Sequence, residues 1–438
     1  MTPNPAIMQS VEQLDYRVTV GDVATKAGLD VNTTQQGIIA LASETGANLQ
    51  VAESGDIAYL FPRNFRAILR NKYWKLRFKE AWEKIWNVLF YLIRISFGIF
   101  LIVSIVLIFV AIFIIIIALQ SSSDDNEGGG DSGGGGFFFF PRFFFWPDFF
   151  WIFDPGYSYR DYSHSRQQKR QSNKKDMNFL EAVFSFLFGD GNPNADLDER
   201  RWQTIGAVIR NNQGAVIAEQ IAPYMDQIDR ISAEEENYML PVLTRFNGYP
   251  EVTDTGEIVY YFPDLQVTAN KQQKQPIPNY LREIPYRFSH AGSGQIMGAI
   301  GLGAVNITGA LILGSLLRDG TIAAQIGGFV AFVASIYWIL LAYGIAFLGI
   351  PLIRYFWIQN RNEKLNQRNA QREEWADQIA PPSPELQQKM SHARQFAQQK
   401  IIGEQDLAYS TERDLIEQEL EQSDKIDQEW QRRLEEGS

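Results

Sequence analysis

The sequence predicts an α-helical membrane protein that carries two copies of a small α+β domain and ends in a helical arm. Three features of the 438-residue chain lead to this fold class. Gly55–Pro62 (GDIAYLFP) returns as Gly256–Pro263 (GEIVYYFP), three apolar runs are long enough to cross a bilayer, and the last part is rich in charge. A repeat of this kind marks one folding unit used twice. We therefore look for function in a pair of small domains rather than in one catalytic pocket.

Each copy of the repeat reads as helix, short strand, helix, helix and two strands, which is the order of a winged-helix domain. In the second copy the third helix is predicted over Ser232–Asn247, and a hairpin joins Glu251–Thr253 to Glu257–Phe262. Alternate residues of a strand share a face. The residues predicted to face the core are therefore Ile57, Tyr59 and Phe61 in the first copy and Ile258, Tyr260 and Phe262 in the second.

The charge of both copies argues against DNA as the partner of these winged-helix-like domains. Gly214–Pro263 holds nine acidic residues and two basic ones, and Val18–Pro62 holds five acidic residues and one basic one. Phosphate would repel such surfaces. A winged helix without a basic face is typical of a protein-interaction module, so no nucleic-acid partner is expected.

Three segments are apolar enough to be transmembrane helices: Leu89–Leu119, Ile296–Leu317 and Gln325–Ile350. About 20 apolar residues span a bilayer. None of the three carries an Asp or Glu. Because carboxylates inside a membrane usually mark ion pathways, transport is disfavoured.

Small residues four apart let helices approach closely in lipid, and the second and third spans carry several. They are Gly294, Gly298, Ala299, Gly303, Ala310 and Gly314 on the second span and Gly327, Ala331 and Ser335 on the third. One interpretation is that the two spans pack as a hairpin. The other is a docking face for a partner helix.

A second set of residues is predicted to contact the membrane interface, where aromatic and basic side chains are favoured. It comprises Arg70, Lys72, Trp74, Lys75, Arg77, Trp82, Trp86, Phe137 and Phe153. Phe137–Phe153 is too short and too rich in proline for a regular span, so a re-entrant or interfacial segment is predicted. Basic clusters favour placing all soluble parts on the cytoplasmic side. The alternative places the second repeat on the far side.

The remaining segments are linkers and an arm. Met177–Phe188 reads as an apolar surface helix, followed by a solvated turn at Gly189–Pro193. Pro381–Pro384 should break the arm, and Ser383 should cap the helix that follows. The division is 1–65 (first repeat), 66–119 (interfacial helix and first span), 120–176 (Gly/acidic linker, Phe-rich segment and basic linker), 177–266 (surface helix and second repeat), 267–290 (linker), 291–353 (second and third spans) and 354–438 (charged helical arm).

No constellation for catalysis or metal binding is present in the sequence. The chain has no cysteine, which excludes disulfides and thiolate ligands. Its three histidines, His164, His290 and His392, fit no metal-binding spacing. We therefore predict a non-enzymatic protein with no cofactor. This prediction does not extend to bound structural lipids or pigments.

Several segments resemble an uncharacterised membrane-protein family of plant chloroplasts and cyanobacteria. They include Tyr91–Gly98 (YLIRISFG), Phe184–Gly191 (FSFLFGDG), Gly301–Asn306 (GLGAVN) and Ile350–Phe356 (IPLIRYF). The resemblance implies a thylakoid, or plasma-membrane, location in a cyanobacterium and transfers no catalytic residue. Plant members are sometimes labelled as iron–sulfur biogenesis proteins, a label that a chain without cysteine does not support.

The function expected from these features is that of a non-enzymatic adaptor, scaffold or assembly factor for a membrane complex, with a photosynthetic complex as one candidate. Its partners would be lipids and either another membrane protein or a second copy. A self-assembling, membrane-shaping or pore-like homo-oligomer is the alternative, and a membrane-tethered DNA-binding regulator is less favoured.

Overall fold

The computed structural model describes residues 4–72, 74–121 and 177–414, except 227, 229–234, 254–255, 272–273, 319 and 404–405. Beyond them it describes 416, 418, 420, 423, 430 and 431. The chain forms two compact units. The first comprises Met1–Trp82, Pro193–Pro285 and Glu363–Ser438, and the second comprises Glu83–Asn192 and Tyr286–Asn362. The predicted segment Phe137–Phe153 lies outside the described residues.

The first repeat contains three helices and three strands in the predicted order. They are α1 (Pro5–Gln13), β1 (Arg17–Val18), α2 (Val20–Ala27), α3 (Val31–Thr45), β2 (Asn48–Ala52) and β3 (Ile57–Leu60). Local sequence sets the helix ends. Thr19 and Asp22 form a capping box at the start of α2, and Gly28 ends it with a φ of 64°.

The second repeat follows the same order. It comprises α7 (Leu197–Asn211), β4 (Ala215–Val216), α8 (Ala218–Ile221), α9 (Leu240–Phe246), β5 (Tyr249–Val252) and β6 (Ile258–Tyr261). The two sheets share an arrangement, β1-β3-β2 and β4-β6-β5. Their registers also match, since Val18 pairs with Tyr59 and Val216 pairs with Tyr260. Gly55 and Gly256 occupy equivalent turn positions with φ of 85° and 82°, which only glycine adopts easily.

Two predictions for the repeats need correction. Over its described residues the predicted third helix Ser232–Asn247 of the second copy is shorter, because α9 begins at Leu240 and follows a 3-10 turn at Asn237–Met239, while 232–234 lie outside the described residues. Pro241 lies in its first turn, and a proline there favours a helix start and prevents an α-helical hydrogen bond to an earlier turn. Ile57, predicted to face the core, is 39% exposed at the strand end.

The first unit also includes two short elements after the second repeat and the C-terminal arm. They are α10 (Pro263–Gln266), β7 (Val267–Thr268), α14 (Pro384–Gln395), β8 (Lys400–Ile401) and β9 (Leu407–Ser410). Strand β9 pairs antiparallel with β2, and β8 pairs parallel with β7. The prediction for Ser383 is confirmed, since its side chain accepts a hydrogen bond from the backbone N–H of Leu386 at the start of α14.

The arm covers residues of the central strands that the alternation pattern assigned to solvent. Ala58 packs in one apolar cluster with Ile402, and Val259 packs in another with Ala393. Both strand residues have no exposed surface. The middle of each central strand, β3 or β6, is therefore buried on both faces, which a local pattern of alternate residues cannot reveal.

The other α-helices of the described residues are α4 (Phe65–Lys72), α5 (Trp74–Ser121), α6 (Phe179–Phe188), α11 (Ser293–Leu316), α12 (Thr321–Ile326) and α13 (Gly328–Ile379). Among the described residues, three stretches are long and apolar enough to cross a membrane: Lys84–Ser121, Ser293–Leu316 and Gly328–Ile379. The third predicted span began too early. Gly327 and Gly328 have φ of 64° and 52°, and the chain bends there before α13 starts.

Helix α6 is part of the core of the second unit rather than a surface helix. Phe179, Val183 and Phe186 are buried against Leu101 of α5 and Phe347 of α13. Gly98 makes the approach possible, because an added Cβ there would lie 2.7 Å from Leu180 Cδ2. This ten-residue apolar helix thus packs against the three long helices α5, α11 and α13.

Candidate functional site

The two repeats pack directly against each other through α2 and α7. Glycines allow the close approach. A Cβ added to Gly21 would lie 1.9 Å from the carbonyl oxygen of Asp264, and one added to Gly206 would lie 2.8 Å from Thr25 Cγ2. The apolar core of the second repeat also includes Ala24 and Val31 of the first. The repeats are therefore one body with a shared core.

A buried ion pair crosses this junction. Asp22 Oδ1 lies 2.6 Å from Arg210 Nη1, and the two side chains are 2% and 9% exposed. The other carboxylate oxygen of Asp22 accepts hydrogen bonds from the backbone N–H groups of Thr19 and Ala269. One carboxylate thus caps its own helix and joins it to the second repeat.

Arg245 forms a second bridge between the repeats. Its guanidinium donates two hydrogen bonds to the carbonyl oxygen of Gly28, at the C-terminal end of α2. The same group lies 4.3 Å from the ring centroid of Trp202. A cation at a helix C-terminus and over an aromatic face is favourable on both counts. Arg245 therefore serves the packing between the two repeats.

The arm is fixed to the second repeat by a buried lysine. Lys389 Nζ lies 2.8 Å from Glu219 Oε1 and 2.7 Å from Glu236 Oε1. Tyr260 donates a hydrogen bond of 2.6 Å to the other oxygen of Glu236. Burial alone would lower the pKa of Lys389, but the hydrogen bonds and charges of the two glutamates raise it above its ordinary value. Burial and the hydrogen bond to Glu236 raise the pKa of Tyr260.

The same helix position is exposed in both repeats. Ile39 of α3 is 50% exposed, and Leu240 of α9 is 60% exposed. Ile39 and Leu240 occupy equivalent positions of the repeat, since each directly follows a buried apolar residue, Ile38 or Met239. Exposed neighbours on α3 are neutral: Asn32, Thr33, Gln35, Gln36, Ala40 and Ser43. This neutral helix face offers an aliphatic contact and no cation for phosphate.

Most of the small residues predicted on the second span pack inside the bundle. Ala299 and Ala310 are fully buried. A Cβ at Gly303 would lie 2.6 Å from Phe347 Cδ1, and one at Gly314 would lie 2.0 Å from Tyr337 Oη. Gly298 is close to the ring of Phe179. These residues pack α11 against α13 and α6, as the hairpin interpretation requires.

The other small residues do not join that packing. Gly294 has open space where a Cβ would be, and Ala331 and Ser335 are exposed on α13. Gly327 ends α12 instead of lying within a span. The proposed spacing of Gly327, Ala331 and Ser335 on one helix therefore does not exist.

A buried polar contact connects α5 and α11 at mid-helix. Asn306 Nδ2 donates to Ser104 Oγ over 2.7 Å, and both residues are buried. A Cβ at Gly344 of α13 would lie 2.9 Å from Asn306 Oδ1. Polar side chains between membrane helices fix their pairing, and here the three long helices meet at one amide.

The turn at Gly189–Pro193 is only partly solvated, since Gly191 and Asn192 are exposed but Asp190 is held by partners. Asp190 is 11% exposed on its side chain and lies 3.0 Å from Arg94 Nη2. Ser185 Oγ and the backbone N–H of His290 donate to its other oxygen. Arg354 donates to the carbonyl oxygens of Phe186 and Phe288. Asp190 is therefore the centre of a polar network that connects α5, α6 and the segment before α11.

Of the predicted interfacial residues, Arg70, Trp82 and Trp86 are exposed, the two tryptophans by 54% and 51%. The side chains of Lys72, Trp74, Lys75 and Arg77 lie outside the described part of the chain, as do Phe137 and Phe153. Among the described residues, no group of three or more His, Cys, Asp or Glu could hold a metal ion.

These features define a helical protein that has three helices of membrane-spanning length and two fused α+β repeats. Over 443 aligned residues it is 37% identical to an uncharacterized chloroplastic protein of Arabidopsis thaliana, covering 98% of this chain and 82% of the plant protein. The chain belongs to the same family as that protein. No family model matches it, and no solved structure matches it significantly. A chloroplastic relative and three such helices are compatible with a thylakoid membrane.

Proposed function

We propose that this chain is a non-enzymatic integral membrane adaptor that helps to assemble or stabilise a membrane complex, with a photosynthetic membrane as its site. The two repeats are winged-helix-like domains that bind protein. The observation that carries the proposal is the matched exposure of Ile39 and Leu240. The arm covers residues of the central strands β3 and β6, and the helices α2 and α7 face each other, whereas α3 and α9 keep these two apolar side chains exposed for a partner.

The chemistry of these helices favours protein over nucleic acid. A side chain such as Ile39 gains free energy when apolar surface is removed from water. The neutral neighbours on α3 impose little charge selection. Phosphate recognition depends on Lys and Arg, and Arg245 is occupied by Gly28 and Trp202.

A one-sided topology is part of the proposal. The first repeat, the second repeat and the arm share cores and strands within one unit. A bilayer cannot separate parts that pack together in this way. We therefore place all three on the cytoplasmic or stromal side, and the short connection near Arg318 on the other side.

The absence of cysteine makes this topology testable by single substitutions. Ser54→Cys, Glu251→Cys and Ser391→Cys place a thiol in the first repeat, the second repeat and the arm, while Arg318→Cys marks the α11–α12 connection. An impermeant maleimide added to sealed vesicles should label the first three together and Arg318→Cys only from the opposite face. Labelling of Glu251→Cys with Arg318→Cys would contradict the one-sided arrangement.

Partner contact is tested by placing a photo-cross-linking amino acid at position 39 or 240 in the native membrane. Cross-links to the same foreign protein from both positions support the adaptor. A matched control is position 54, which is exposed but lies in the hairpin turn. Equal cross-linking from all three positions would contradict recognition by α3 and α9.

A self-assembling homo-oligomer is the second candidate. Its supporting observation is the outward position of Gly294, Ala331 and Ser335, which leaves small residues on the surface of α11 and α13. Ala331→Leu should then reduce the particle mass in mild detergent. An unchanged mass that corresponds to one chain would exclude this candidate.

A further inference from the structure

Strands β2 and β5 occupy equivalent places in the two sheets, but their outer edges, the sides away from β3 and β6, differ. The edge of β2 pairs with β9, whereas β5 is the last strand of its sheet. Leu49 of β2 pairs with Tyr59, and Pro250 of β5 pairs with Tyr260. Tyr59 and Tyr260 are the same position of the repeated hairpin. Leu49 therefore corresponds to Pro250, and by the same register Val51 corresponds to Val252.

The backbone groups of these residues point away from the hairpin partner. In the second repeat the N–H of Thr253 donates to the carbonyl oxygen of Glu257, so Thr253 faces β6. Alternate residues of an antiparallel strand point their backbone groups to opposite sides. Pro250 and Val252 consequently face the free edge of β5. In the first repeat Ala52 donates to Asp56 in the same way, which places Leu49 and Val51 at the outer edge of β2.

The edge of β2 is filled by the arm. The N–H of Leu49 donates to Thr411 Oγ1 over 2.8 Å, and its carbonyl oxygen accepts from the N–H of Thr411 over 3.0 Å. Val51 faces Tyr409 across the pair. One outer residue, Leu49, thus uses both of its backbone groups to hold the extended segment.

Pro250 cannot make the first of these contacts, because proline has no backbone N–H. Its ring also occupies the side from which a further strand would approach. Prolines at outward positions of edge strands are a known means of preventing strand addition. The rest of the β5 edge is accessible, since all four of its residues are exposed.

We infer that the β2 and β5 edges are two versions of one docking site for an extended polypeptide segment, and that Pro250 closes the second. The segment that fits is this chain's own 406–411. The residue at the position of Leu49 and Pro250 decides which repeat accepts it. The proline also keeps β5 from adding a strand of a second copy.

The first test is a gain of binding in the full-length chain. The probe is a fluorescent synthetic peptide with the sequence of residues 400–414. In the natural chain the arm fills β2 and Pro250 closes β5, so little binding is expected. Pro250→Leu supplies the missing N–H and should increase peptide affinity on the order of tenfold, which is the scale of one or two hydrogen bonds. Adding Val252→Pro to Pro250→Leu should close the edge again and abolish the gain.

The converse test is release of the arm. Leu49→Pro should raise hydrogen exchange at the amides of Tyr409 and Thr411, whereas Leu49→Ala keeps the N–H and should leave exchange nearly unchanged. The inference is overturned if Pro250→Leu, with natural thermal stability, binds no more peptide than the natural chain. It is equally overturned if the amides of Tyr409 and Thr411 exchange hydrogen at the same rate in the Leu49→Pro and Leu49→Ala variants.

Discussion

Asp22 of the first repeat and Arg210 of the second lie 2.6 Å apart, and both side chains are almost fully buried. Asp22 also accepts the backbone N–H groups of Thr19 and Ala269. The carboxylate therefore connects three segments that are far apart in sequence. The junction of the repeats should depend on this pair.

Removing one partner of this pair should strongly destabilise the first unit. Arg210→Met leaves the Asp22 carboxylate buried without its cation, and we expect the free energy of unfolding to fall by about 3–5 kcal/mol. Denaturant titration in detergent micelles measures the change. Arg66→Met is the matched control, because it removes an exposed ion pair with Glu12 and should change the free energy by less than about 1 kcal/mol. Similar losses in the two variants would contradict a special role for the junction.

Because Lys389 fixes the arm to the second repeat, the stability of the folded chain should fall at alkaline pH. The pKa of Lys389 is raised in the folded chain, so the ion pair contributes fully below the unfolded lysine value and is lost as pH rises through the folded one. We expect the thermal midpoint of the natural chain to fall above a pH of about 10.4. The buried tyrosines Tyr224 and Tyr260 have raised pKa values and add to the loss in the same direction.

Lys389→Met isolates the lysine contribution to that profile. The variant should be less stable at neutral pH, and the further loss at alkaline pH should be smaller than in the natural chain. Lys400→Met, which removes an exposed lysine of the same arm, should leave the profile unchanged. A Lys389→Met profile parallel to that of the natural chain would show that the buried contact does not titrate as argued.

Two glycines of α11 should differ sharply in their tolerance of a methyl group. Gly303→Ala forces a carbon to within 2.6 Å of Phe347 Cδ1, whereas Gly301→Ala meets nothing within 4 Å. Overpacking costs about 1–3 kcal/mol, so Gly303→Ala should lower the thermal midpoint in detergent. Gly301→Ala should leave it unchanged or raise it slightly through helix propensity. Equal midpoints for the two variants would argue against the packing of α11 on α13.

For the buried hydrogen bond between Ser104 and Asn306, removing one partner should cost more stability than replacing both partners by apolar residues. Ser104→Ala removes the oxygen to which the amide donates and leaves a buried donor unsatisfied, which costs about 1–3 kcal/mol. Adding Asn306→Val removes the unsatisfied donor, so the double variant should recover part of that loss. A double variant that loses the sum of the two single effects would contradict this account.

The turns and helix ends of the fold could be predicted because each depends on a short stretch of sequence. Gly55 and Gly256 mark the hairpin turns, and Ser383 marks a helix start. The burial of Ala58 and Val259 could not be predicted, since it depends on an arm that is remote in the chain. Ile57 was misassigned because alternation does not tell where a strand leaves the core.

The residues of the candidate site likewise include some that a local pattern could indicate and others that depend on remote parts of the chain. The small-residue pattern included Gly303 and Gly314, which lie against Phe347 and Tyr337 of α13, but also Gly327, whose positive φ ends a helix. Asp190 was missed because its partner Arg94 lies almost a hundred residues earlier. The signal available for it was a charged residue, Arg94, within an otherwise apolar span, since such a residue usually has a partner.

The measurement that tests the adaptor proposal most directly is the composition of the particle released gently from the native membrane. The tagged chain should emerge in a discrete complex with foreign subunits, and Ile39→Glu combined with Leu240→Glu should release those subunits while the chain keeps its natural thermal stability. A particle made only of this chain, with the same mass for the natural protein and the double variant, would contradict the proposal.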